Sequence, residues 1–287
     1  MRDAIIGKQQ LRCLDHGHVT LVDVMPRMVE DDETGDHAIL RAARVSTGSM
    51  AGKDDRGLIR YMMRHRHTSP FEQVEFKFHC KMPIFVARQW IRHRTANVNE
   101  VSGRYSVLKD EFHVPEADEV RRQSTKNKQG SEGGMEAECF IKDCADLPRD
   151  CYDAYKEALK IGVSREQARM LLPLSLYTEW FWKIDLHNLL HFLALRCDSH
   201  AQYEIRVFAD AMLELIRPIV PWSIEAWEDY HPMRDAATLT RLELEAIRNA
   251  ISAVGLTAPR IATSNDREQE EWMTKAERLG FRRQVIV

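Results

Sequence analysis

The strongest constraint on how this chain can fold is a run of seven residues, Val74-Glu75-Phe76-Lys77-Phe78-His79-Cys80, in which apolar and polar side chains alternate. A period of two puts Val74, Phe76, Phe78 and Cys80 on one face of an extended strand and Glu75, Lys77 and His79 on the other. Such a strand is half buried, so it calls for a sheet with one face packed against other elements. Met82-Pro83 ends the run. Pro83 suits the first position of a helix through Ile84, Phe85, Val86, Ala87 and Trp90, where a missing N–H costs nothing. A second strand is predicted over His18 to Met25, where Val19, Leu21, Val22 and Val24 precede Pro26.

Helical spacing fills much of the remainder. Asp36 is placed to cap a helix through Ala38, Ile39, Leu40, Ala42 and Ala43, and a second helix is predicted from about Asp55 to Arg66, short of Pro70. Spacing resumes at Pro148 with Tyr152, Tyr155, Ala158 and Leu159 and closes at Gly162. Ser164 and Gln167 form a capping-box pattern for the next helix, which Pro173 ends. Asp185 is placed to cap one long helical stretch, with Leu186, Leu189, Leu190 and Leu193 followed by Ile205, Phe208, Met212 and Ile216 before Pro218. Residues 112–137 are poor in large apolar groups and read as a mobile surface loop, and so as a candidate lid. With no internal repeat and no clear linker, the expected fold class is α/β of the α+β type. A single domain over residues 1–233 has a central, mainly antiparallel sheet flanked by helices, and a peripheral, charged helical extension follows over 234–287.

Charge and cysteines narrow the function classes. Lys and Arg number 41 against 44 Asp and Glu, so the net charge of −3 gives no overall footprint for nucleic acid or an anionic membrane. No run approaches the roughly 18 apolar residues that span a bilayer, and the N-terminal apolar stretch is too short for a signal peptide. The six cysteines are scattered with no C-x-x-C pair. A cytoplasmic protein with reduced thiols is expected.

Against that background one local cluster stands out. Between Arg88 and Arg104 lie four arginines (88, 92, 94 and 104) and one acid, Glu100. Arginine offers a planar fork of donors matched to phosphate oxygens and to a pyrimidine edge. Asn97, Asn99, Ser102 and Tyr105 add neutral hydrogen-bonding groups, and Gly103 lets the backbone approach a ligand closely. On charge counting alone, a solvated basic loop is an equal reading. A non-catalytic module that clamps a nucleotide or single-stranded nucleic acid is another, but it calls for a basic domain with interleaved exposed aromatics. Only Tyr105 lies near this cluster.

The longer pattern decides among these. Arg92-His93-Arg94, seven residues, then Ser102-Gly103-Arg104-Tyr105 resembles the signature of the flavin-dependent thymidylate synthases. Three further blocks in the same order are similar to that family: His67-Thr68-Ser69-Pro70-Phe71-Glu72 with Pro83 to Trp90, then Glu166-Gln167-Ala168-Arg169 with Leu172-Pro173-Leu174, then Leu195 to Gln202. The resemblance covers roughly residues 18 to 222. It implies methylation of dUMP at uracil C5, with 5,10-methylenetetrahydrofolate giving the carbon, FAD carrying the hydride and NADPH reducing the flavin. It also implies a homotetramer with sites at subunit junctions, and no nucleic-acid or membrane partner.

Carried over by position, the resemblance places Gln89, Trp90, Arg92, Glu100, Val101, Ser102, Gly103, Arg104, Arg169 and Arg196 at dUMP. It places Ser69, Arg92, His93, Arg94, Glu100, Asp185, His187 and His191 at FAD, and His67 and His200 on the folate and flavin side. Arg196 is the implied catalytic residue, its cation stabilising negative charge on the uracil ring as C5 becomes nucleophilic. A surface salt bridge with Asp198 or Glu204 is the alternative for it. Ser102 has no His–Asp relay beside it in sequence and reads as a hydrogen-bonding group, not a nucleophile. Phe85 and Trp90 fit helix packing better than cofactor stacking, and Cys197 reads as a small packing residue. His187 and His191 are spaced like a metal pair, but there is no H-E-x-x-H and no metal is expected.

Overall fold

The computed structural model describes residues 6–26, 33–46, 48, 54–125, 130–231 and 239–283. Strands β1 (Gln10–Cys13) and β2 (Gly17–Met25) open the chain, followed by helices α1 (Gly35–Val45) and α2 (Asp55–Arg64). Strand β3 (Glu75–Pro83) runs directly into α3 (Ile84–Trp90), and β4 (Asn97–Glu100) follows. A small hairpin of β5 (Arg121–Gln123) and β6 (Ser131–Gly134) precedes the long α4 (Glu138–Lys160) and the one-turn α5 (Arg165–Ala168). Then come β7 (Tyr177–Asp185), α6 (Leu186–Arg196), α7 (Tyr203–Ile216), α8 (Pro221–Tyr230), α9 (Arg241–Val254) and α10 (Asp266–Arg278). Among the described residues no helix is long and apolar enough to cross a membrane.

The main sheet has the order β1-β2-β3-β7-β4, and every pair in it is antiparallel. The alternation along β3 is borne out: Phe76, Phe78 and Cys80 are fully buried, facing Ile184, Trp182 and Trp180 of β7 in register. Helices α3, α6 and α7 cover this face. Trp90 sits at its centre, 0% exposed, with ring centroids 5.4 Å from Trp180, 5.3 Å from Trp182 and 5.1 Å from Phe192. Its ring is therefore enclosed in the core, as the packing reading of Trp90 expects.

Several boundaries differ from expectation, each for a physical reason. The interior strand β7 has no counterpart among the sequence expectations, nor has the edge strand β4, which turns part of the supposed basic loop into sheet. Pro83 is the last strand residue and caps α3 from outside; the first helical N–H groups, of Ile84 and Phe85, donate to the carbonyls of Leu176 and Leu174. Helix α4 begins at Glu138 and carries Pro148 inside it. The long stretch after Asp185 is two helices, because Asp198 accepts the His200 N–H at 2.8 Å and turns the chain between them. Part of the expected loop at 112–137 is the β5–β6 hairpin. Thr34, not Asp36, caps α1. Asp36 is fully buried and caps α8 instead, accepting from the N–H groups of Trp222 (2.8 Å) and Ser223 (3.1 Å).

Candidate functional site

The arginine-rich segment is cut in two by β4. Four strand residues span about 13 Å, so Arg92-His93-Arg94 stands at one end of the strand and Ser102-Gly103-Arg104 at the other.

At the first end, α3 closes on Ile91, and the His93 N–H donates to the Trp90 carbonyl at 3.0 Å. The His93 ring stands edge-on to Phe192, 4.9 Å away, with His191 at 6.2 Å. Arg196, the last residue of α6, donates Nε to His93 Nε2 at 3.1 Å. Burial, then the Arg196 and His191 charges, push His93 down to about 4. It is therefore neutral at physiological pH, and its Nε2 lone pair is free to accept from Arg196. Burial also lowers Arg196, which still stays cationic. Among the described residues no carboxylate lies within ion-pair distance of Arg196, so the salt bridge with Asp198 or Glu204 is not formed. Arg92 and Arg94 are exposed and likewise have no ion-pair partner among the described residues. The neighbouring Gln89 Oε1 is buried without a hydrogen-bond partner.

The depressed His93 gives a pH prediction. Its folded value lies below the 6.5 of a free histidine, so the unfolded chain takes up that proton first and stability is lost as pH falls from 6.5 towards 4. A His93→Gln variant should therefore lose less melting temperature than the parent between pH 6.5 and 4. Parallel losses in the two proteins would refute the assignment.

Beside this group lies a cavity of about 340 Å³ that gathers His67, His187 and His191 with apolar side chains from α2, α6 and α8. His67 is more than a hundred residues from His187 and His191 in the chain, yet all three share one wall. Ser69 is exposed just past the lining residue Thr68. Asp185 acts more locally, where its two carboxylate oxygens accept from Asn188 N (2.9 Å) and Nδ2 (2.7 Å) at the start of α6. His200 is not part of the group; it is bound to Asp198 at 2.8 Å and borders another cavity beside Phe85 and Tyr203. Trp227 and Tyr230 of α8, with His231 just past its end, were missed in the sequence, although Trp-x-x-Tyr-His offers aromatic side chains one helical turn apart. Among the described residues no three His, Cys, Asp or Glu side chains are grouped to hold a metal.

At the second end, Glu100 accepts from Thr178 Oγ1 at 2.6 Å, and the Val101 N–H donates to Glu179 O at 2.9 Å. The chain then turns tightly, with Ser102 Oγ accepting from the Arg104 N–H at 3.2 Å. Helix α5 clamps the turn from across the chain: Arg104 Nε meets Glu166 at 3.2 Å and Arg165 donates to Tyr105 O at 2.9 Å, while Arg169, just past the helix, donates back to Glu166 O at 3.3 Å. Gly103 is buried here, and a Cβ on it would lie 3.0 Å from Leu108 Cδ1 and 3.3 Å from Arg169 Cδ. An open cavity of about 530 Å³ lies between Arg104, Tyr105, Arg165 and Glu166. It shares no lining residue with the cavity at the other end.

The comparisons with known proteins agree with one another. Residues 27–222 match the family described as thymidylate synthase complementing protein. A flavin-dependent thymidylate synthase from Dictyostelium discoideum is 54% identical over 275 residues, covering 94% of this chain and 87% of that protein. One from Thermus thermophilus is 48% identical over 266 residues, covering 89% of this chain and 94% of that protein. Among solved structures, a UMP/dUMP methylase from Streptomyces cacaoi bound with 5-Br dUMP is similar, with a TM-score of 0.67 at 31% identity, covering 77% of this chain and 98% of that one.

Proposed function

The chain belongs to the flavin-dependent thymidylate synthases, and from that premise we propose that it methylates dUMP at uracil C5 to give dTMP, with 5,10-methylenetetrahydrofolate as carbon donor, FAD as hydride carrier and NADPH as reductant. The observation that carries this reading is Arg196, a half-buried cation with no counter-charge among the described residues, held by a neutral histidine beside a ligand-sized cavity.

The residues present fit a flavin dinucleotide. Arg92 and Arg94 offer two cations without ion-pair partners among the described residues, as a pyrophosphate requires. The adjoining cavity, largely apolar with a few imidazoles, suits part of a flat ring system. When bound, FAD supplies the hydride chemistry. The chain itself holds and polarises the pyrimidine. Arg104 and Arg169 face the Ser102 turn and suit the nucleotide phosphate; the exposed Arg104–Glu166 pair is worth at most about 1 kcal/mol, so a phosphate displaces Glu166 readily. Arg196 then stabilises charge spreading onto the uracil N3 edge as C5 attacks. Cys197 packs against the core, so no thiol attack on the ring is invoked. None of the six cysteines forms a disulfide, in keeping with a cytoplasmic protein.

The separation of the two ends supports a site completed by a second chain. The apolar side chains around the Ser102 turn are unusually bare, with Met170 78%, Tyr105 74% and Leu174 62% exposed, as expected of surface covered in a homotetramer. Arg104→Ala and Arg196→Ala proteins, each nearly inactive alone, should therefore regain activity when dissociated and mixed, because some junctions then carry both arginines. No recovery in the mixture, with tetramers formed, would show that one chain builds each site.

The function itself has a direct test. Purified protein should be yellow and should release the C5 hydrogen of dUMP only when NADPH and methylenetetrahydrofolate are both present. Colourless protein that stays inactive after FAD is added would overturn the reading.

A further inference from the structure

The C-terminal extension lies outside the 27–222 family match, yet it is tied to the walls of the histidine cavity by two chains of contact. In the first, Glu268 of α10 is 2% exposed and takes Arg60 Nε at 2.6 Å and Arg64 Nη1 at 2.8 Å, both from α2. Arg60 in turn donates to the Tyr230 hydroxyl of α8 at 2.7 Å, and the Arg60 and Arg64 guanidinium groups lie 5.0 and 5.3 Å from the Tyr230 ring centroid. Tyr230 lines the cavity. In the second, Arg267 lies 4.0 Å from the centroid of Tyr61, which stacks at 5.8 Å on His67, another lining residue. Burying a carboxylate is costly unless charged donors surround it. Burial disfavours the charged form of Glu268, but the hydrogen bonds from Arg60 and Thr263 prevail and hold it at about 2. The extension is therefore docked as an ion, and both chains of contact end on side chains that face the cavity.

We propose that the C-terminal extension buttresses the flavin cavity, with Arg267 and Glu268 as positioning residues that fix His67 through Tyr61 and Tyr230 through Arg60. The proposal rests on the reading that this cavity holds the flavin. It assigns the extension a part in cofactor retention and none in holding the nucleotide phosphate, since the cavity beside the Ser102 turn shares no lining residue with this one.

The test uses the full-length protein freed of flavin, with FAD affinity read by fluorescence quenching, dUMP affinity by calorimetry, and the melting temperature recorded alongside. Arg267→Ala, at a largely exposed side chain, and Glu268→Gln should each weaken FAD binding by about 3- to 30-fold, with dUMP affinity changed by less than about twofold. Arg267→Lys keeps the cation over Tyr61 and should recover most of the loss. Unchanged FAD affinity in both variants would overturn the proposal, as would an equal loss of FAD and dUMP binding with a fall in melting temperature, which marks a merely structural role. His187→Ala separates this from the underlying reading. If it weakens FAD binding while the extension variants do not, the buttress alone fails; if it leaves FAD binding unchanged, the cavity assignment fails and the buttress falls with it.

Discussion

Replacing Arg196 with alanine is expected to lower dUMP turnover by about 10²- to 10³-fold, the loss that follows removal of one fixed donor from a developing anion, with little change in flavin retention. The asymmetry comes from where the guanidinium is anchored. Its Nε is spent on His93 at 3.1 Å, which fixes the plane of the group and leaves its terminal nitrogens directed elsewhere. No carboxylate among the described residues competes for them. The charge is half buried, so water does not screen it as it would on the surface. Arg196→Lys keeps the charge but loses the planar fork and the Nε contact, and should recover only part of the rate. Single-turnover release of the C5 hydrogen, measured beside flavin absorbance, checks both. Equal losses of rate and flavin would mean that Arg196 holds the cofactor and does not activate the pyrimidine.

How much of this was legible in the sequence follows from the range of each interaction. The β3 strand was readable because its alternation is a local pattern that burial on one face enforces. β7 was not, because Trp180-Phe181-Trp182 is apolar on both faces: Trp180 and Trp182 are buried, whereas Phe181 is 41% exposed and meets His79 on the open side of the sheet. Pro148 reads as a helix start, yet here it is buried inside α4. The site shows the same division. The residue types needed to hold an anionic nucleotide were visible between Arg88 and Arg104, and family resemblance supplied Arg169 and Arg196. What no local pattern could reveal is that β4 drives Arg94 and Ser102 apart, while contacts between residues 103 positions apart join Arg196 to His93. Adjacency in sequence suggested one wall; the sheet makes two.

Asp36 shows how far a correct residue type can act from the place it suggests, and it carries the largest stability prediction. Pro221 opens α8 without an N–H, so the first donors of that helix are Trp222 and Ser223, and the Asp36 carboxylate accepts both. It also accepts the Ser223 hydroxyl at 2.5 Å. A carboxylate there meets the positive end of the helix dipole. Asp36→Ala leaves these three donors without a partner, and at about 1–3 kcal/mol for each unsatisfied group a loss of at least about 3 kcal/mol is expected. Burial nevertheless outweighs the Ser223 and Trp222 hydrogen bonds and raises Asp36 to about 6. A folded value above the unfolded 3.8 means that its contribution is greatest below pH 3.8 and is lost as pH rises through 6. Urea unfolding of the parent and of Asp36→Ala should therefore show a difference that is larger at pH 4 than at pH 7. Because α8 also carries Trp227 and Tyr230 of the cavity wall, the same variant should bind FAD more weakly in its folded state. A loss under about 1 kcal/mol, or a difference that does not change with pH, would show that α8 is held by its apolar packing and not by the carboxylate at its end.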